Sequence, residues 1–138
     1  MLKKLGGVVC LIIMVCGIAT IYAQPTFGKY SNTYQIYTGD DSSLAQIVTV
    51  DTALYFALGK KYGESVELNA KDFSLSEILK DFSAKVLFIE QTDSHTLYYA
   101  SSPKIRYRKK VKGQTVNLQI AVSKDRVVLG APLIFGSF

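Results

Sequence analysis

From Lys104 onward the chain repeats with a period of two, and no other feature constrains its fold as strongly. KIRYRKKVK (104–112) carries six basic side chains in nine positions. Five of them, Lys104, Arg106, Arg108, Lys110 and Lys112, fall on even numbers, with Ile105, Tyr107 and Val111 between. TVNLQIAV (115–122) then sets Val116, Leu118, Ile120 and Val122 against Asn117, Gln119 and Ala121. Successive strand side chains point to opposite faces, so such alternation predicts strands with one apolar face and one polar face. Gly113 permits a tight hairpin between the two runs. With the apolar set turned toward a core, the five cations, Asn117 and Gln119 are expected together on a wet sheet face.

Upstream the signals are mixed. YQIYT (34–38) and AQIVTV (45–50) are rich in residues that favour strands, with a turn expected at Asp40–Ser43 between them. In DTALYFALGKKYG, Asp51 can cap a helix whose Leu54, Leu58 and Tyr62 recur at helical spacing, and Gly63 is a plausible stop. FSLSEILKDFSAK predicts a helix over 75–84. Ser74 and Glu77 form a capping box, and Leu75, Ile78, Leu79 and Phe82 make one apolar stripe. VLFIE (86–90), a turn at 92–95 and TLYYAS (96–101) read as a strand pair. A last strand begins at VVLG, where Pro132 marks an edge or the end of pairing. The expected fold is α+β: an antiparallel meander of about four to six strands with one or two helices packed on one face.

The N terminus sets where such a domain works. Lys3 and Lys4 precede an uncharged run from Leu5 to Ala23, the layout of an export signal. Its length also approaches the ~20 residues that span a bilayer, so residues 1–23 read as a cleaved signal peptide or as an uncleaved anchor helix with its lysines inside. Either way the rest of the chain is expected outside the cytoplasmic membrane, secreted or anchored to its outer face. Residues 24–33, QPTFGKYSNT, read as a linker and 34–138 as one domain. Cys10 and Cys16 both lie in the apolar run, so the exported part is expected to fold without disulfides or thiolate chemistry.

Charge narrows the function classes. The whole chain has 16 Lys and Arg against 11 Asp and Glu. Without Lys3, Lys4 and the six cations of 104–112, eight remain against the 11 acids. The basic character is therefore local. The chain's one histidine, His95, falls in an expected turn without a cysteine or acid cluster beside it, so neither a metal site nor a catalytic triad is expected. Nothing in the sequence calls for a cofactor. The expectation is a non-catalytic binding or scaffold domain of the cell envelope. Lys104, Arg106, Arg108, Lys110, Lys112, Asn117 and Gln119 would form a platform for an anionic polymer or lipid headgroups. Export argues against chromosomal nucleic acid as a partner. The alternative is a protein-interaction module that pairs through a free sheet edge, with 126–134 as the candidate strand.

VNLQIAVSKDRVVLGAPLIFGSF (116–138) resembles the end of the YwmB-like family of exported proteins of spore-forming Gram-positive bacteria. The residues that carry the resemblance are Asn117, Leu118, Gln119, Ile120, Ala121, Gly130, Pro132, Leu133 and Ile134. It implies a curved antiparallel sheet with helices on one side, the shape called TATA-box-binding-protein-like. It implies no activity, since shape alone carries none.

Overall fold

A computed structural model describes residues 2–39 and 46–136; the expected turn at Asp40–Ser43 lies outside them. The elements in chain order are α1 (Leu2–Ala23), β1 (Thr33–Tyr37), β2 (Ile47–Asp51), α2 (Thr52–Ala57), β3 (Gly63–Asn69), a 3-10 turn (Ala70–Asp72), α3 (Leu75–Asp81), β4 (Lys85–Gln91), β5 (Thr96–Ser101), β6 (Lys109–Val111), β7 (Gln114–Val116), β8 (Leu118–Val122) and β9 (Arg126–Ala131). Among the described residues seven strands form one antiparallel sheet in the order β2-β1-β3-β9-β8-β5-β4, and β6 and β7 form a separate hairpin. The fold is α+β. The local start signals are seen directly. The Asp51 carboxylate accepts the Leu54 amide at 2.8 Å to cap α2, and the Ser74 hydroxyl accepts the Glu77 amide at 3.4 Å to cap α3. A cap of this kind stabilises a helix by about 1 kcal/mol.

Both faces of the sheet are covered, which corrects the expectation of one wet face. On the helix side Phe27, Tyr34, Ile36, Tyr55, Ile78, Phe82, Ile105, Leu118, Ile120 and Leu129 form the main core. On the other side Leu97, Tyr99, Val116, Ala121 and Val128 form a second, smaller one, closed by Phe88, Val111, Leu133 and Ile134. The β6–β7 hairpin and the chain after Pro132 supply that cover. The hairpin turns through Lys112 and Gly113, whose φ values of 50° and 75° suit a two-residue turn with both central residues left-handed. The tail lies against Gly130, where an added Cβ would stand 2.6 Å from Ile134 Cγ1 and 2.7 Å from the Ile134 nitrogen.

Four further expectations change. Residues 24–33 are not a free linker, because Phe27 is fully buried in the main core and meets Phe82 edge-on at 5.7 Å. Helix α2 ends at Ala57, and Gly63 opens β3, a strand the sequence reading did not anticipate. β9 lies inside the sheet, paired to β3 and β8, so 126–134 offers no free edge; among the described residues the edges are β2 and β4. Finally, 104–108 forms no strand, and only 109–111 pairs.

Candidate anion-binding site

The basic segment keeps its alternation of burial without a ladder. Ile105 and Tyr107 are buried, while Lys104, Arg106 and Arg108 are exposed. Alternate side chains of this segment turn inward although residues 103–104 form a turn and 105–108 pair with no strand. The row is nevertheless split. Ile105 and Tyr107 enter the helix-side core, whereas Val111 packs on the opposite one. Lys104, Arg106 and Arg108 therefore belong to one side of the molecule, and Lys110 and Lys112 to the hairpin that covers the other. Lys112 pairs with Glu90 and lies 5.2 Å from the Phe88 ring, which fastens the hairpin to β4. Lys110 is exposed and joins no ion pair among the described residues.

Asn117 and Gln119 are not ligand-facing, contrary to expectation; they are 1% and 5% exposed. The Asn117 side chain accepts the Ser102 amide at 2.6 Å and donates to the carbonyls of Ser102 at 2.6 Å and Ile105 at 3.2 Å. It thus fixes the loop that carries Lys104 and Arg106. Gln119 accepts the Ile134 amide at 2.8 Å and fastens the tail. Each side chain replaces a ladder partner for backbone that belongs to no strand, as buried polar groups require.

An open cavity of about 440 Å³ adjoins the loop, lined by Gln24, Pro25 and Thr26 on one side and Lys104, Arg106 and Arg108 on another. Asp81 also reaches it, but its carboxylate is taken up by Lys29 at 2.5 Å and by the Tyr30 hydroxyl. These bonds, the lysine first, hold the Asp81 carboxyl below its usual range. Lys104 donates to the Asp81 carbonyl at 2.7 Å, which anchors the cavity rim to the end of α3.

Behind the cavity lies a polar cluster that the sequence did not signal. Glu64, at the start of β3, is fully buried, and its carboxylate accepts the amides of Thr26 and Phe27, the latter at 3.3 Å. The Tyr55 hydroxyl donates to the same carboxylate at 2.7 Å. Burial raises the Glu64 pKa, offset in part by these hydrogen bonds. Burial, followed by the Glu64 charge, pushes the Tyr55 hydroxyl up as well, so it stays protonated and serves as a donor. Arg106 reaches back to the cluster, donating to Tyr55 at 3.2 Å and Tyr107 at 2.7 Å. Glu64 thereby ties the segment just after α1 to the centre of the sheet, and Arg106 ties the basic loop to the same point. Among the described residues no group of His, Cys, Asp and Glu is placed to hold a metal ion. No family model, curated protein or solved structure matches the chain.

Proposed function

We propose that the chain is an exported, non-catalytic domain of the cell envelope that binds phosphate-bearing anionic ligands, polymer or lipid headgroup, through Lys104, Arg106 and Arg108. The observation that carries this reading is the convergence of three cations on one open cavity whose nearby acid is already neutralised by lysine. Arg108 offers a planar fork suited to phosphate, and Lys104 a compact charge beside it. The test uses the full chain in non-ionic detergent with soluble poly(glycerol phosphate) as probe. Wild-type protein binds and releases the polymer as salt is raised, because exposed charge pairs are screened within ~10 Å at 0.1 M salt. K104Q/R108Q weakens binding at least tenfold, and K110Q, on the other side of the molecule, leaves it unchanged. Full binding by K104Q/R108Q would sink the assignment.

A second reading has its own support. The edge strand β2 exposes Ile47 and Val48, at 43% and 36%, and among the described residues no strand pairs with its outer side. Such an edge accepts a partner strand. Salt-insensitive self-association that T49P abolishes would favour it over the cationic site, because the ladder register turns the Thr49 amide away from β1.

A further inference from the structure

The point where α1 joins the domain and the basic cavity are the same place. Gln24 and Pro25 follow α1 directly and line the cavity with Lys104, Arg106 and Arg108. There is almost no slack between them. Thr26 is the first residue whose amide Glu64 holds, and the two residues before it extend at most ~3.5 Å each. The cavity therefore opens within about 10 Å of the end of α1, close to the ~5–8 Å depth of one headgroup layer. Tyr55 also reaches this point, its hydroxyl 3.4 Å from the Gln24 carbonyl. Its neighbours on α2, Leu54 and Phe56, are large, apolar and exposed, at 56% and 53%. Lys61 lies 4.5 Å from the Tyr55 ring, and the exposed Lys60 precedes it. Phe56 packs edge-on against the Tyr55 ring at 5.8 Å, and Tyr55 is hydrogen-bonded to Arg106, so the exposed apolar pair is linked to the basic loop through one side chain. Exposed apolar groups with cations near them are what a membrane interface accepts.

On α1 the described side chains Val8, Val9, Leu11, Ile12, Ile13, Met14 and Val15 are all exposed. Among the described residues no helix is long and apolar enough to cross a membrane. The uncharged sequence itself runs on to Ala23.

We propose that Lys104, Arg106 and Arg108, together with Leu54 and Phe56 of α2, form a seating surface on an anionic phospholipid bilayer, with the Leu5–Ala23 run lodged in that bilayer. The proposal rests on the anion-binding reading and narrows its ligand to a lipid phosphate. The cavity cations meet headgroup phosphates, and the α2 side chains enter the boundary between headgroups and acyl chains. Attraction to an anionic leaflet strengthens seating roughly fivefold per cation.

The chain contains no tryptophan, so a single introduced indole reports alone. The full chain carrying F56W is placed in nanodiscs of brominated phosphatidylcholine with phosphatidylglycerol, beside a second variant carrying D93W. Asp93 lies in the turn before β5, while the cavity lies past its other end, about 20 Å along the strand. Bromine quenches the F56W indole several-fold and leaves D93W emission unchanged. Adding K104Q/R108Q to F56W cuts the quenching in anionic discs to the level seen in pure phosphatidylcholine. An unquenched F56W, or equal quenching at both positions, overturns the seating. Quenching that K104Q/R108Q does not alter removes the headgroup role. Should polymer binding depend on Lys104 and Arg108 while F56W stays unquenched, the anion-binding reading stands and the seating alone falls.

Discussion

Asn117→Asp changes one amide nitrogen to oxygen and leaves the side chain's size intact. That nitrogen donates to two carbonyls, Ser102 at 2.6 Å and Ile105 at 3.2 Å, in a position 1% exposed. The variant loses two donated bonds, worth ~1 kcal/mol each, and sets acceptor against acceptor in a buried site. A buried group stripped of its partner costs ~1–3 kcal/mol. The sum is a loss of about 3–5 kcal/mol, a large share of the ~5–15 kcal/mol that holds a domain together. With a urea slope of ~1–3 kcal/mol/M, the unfolding midpoint falls by about 2 M, read by circular dichroism. Protonating the introduced carboxylate restores one donor, so the deficit shrinks as pH is lowered through the carboxylate range. If the loss stays under ~0.5 kcal/mol, the range of surface substitutions, and polymer binding changes instead, Asn117 contacts ligand and does not brace the loop.

Two other variants probe the frame around the site. Gly130→Ala would push its Cβ into Ile134 and the backbone of Leu133, lifting the tail from the sheet; a cost of about 1–3 kcal/mol and faster amide exchange at Ile134 are expected, and unchanged melting would contradict the tail's placement. Glu64 titrates with a raised pKa in the fold, its burial outweighing its donors. The folded state then holds the proton to higher pH than the unfolded chain. The Glu64 contribution is thus fully present below the ordinary glutamate pKa and is lost as pH rises through the folded one. In urea titrations Glu64→Gln should gain on wild type as pH is raised across that window, and a difference independent of pH would refute the assignment.

What the sequence disclosed was local, and what it hid was long-range. Asp51 and Ser74 cap helices within three residues of themselves, so their roles could be read in place. The alternation of 104–108 correctly separated Ile105 and Tyr107 from Lys104, Arg106 and Arg108, but alternation reports side-chain direction and not ladder pairing. Asn117 and Gln119 looked solvent-facing because polar positions between aliphatics usually are. Their burial depends on Ser102, Ile105 and Ile134, 12 to 15 residues away, which no spacing rule links to them. β3 escaped notice for a related reason. GESVELN sets two glutamates into a strand, and Glu64 is tolerable inside only because Tyr55, Thr26 and Phe27 bring donors to it. The polar composition of 24–33 likewise concealed Phe27, whose ring is a core residue.

The locking of Thr26 and Phe27 to Glu64 fixes the basic cavity to the end of α1. Native-state hydrogen exchange of the full chain reads those two amides directly. Opening them requires extracting Phe27 from the core, so the Thr26 and Phe27 amides should exchange as slowly as those of β3 and β9. Exchange at the rate of an unstructured peptide would mean that residues 24–33 are a loose tether and that the cavity has no fixed relation to the helix before it.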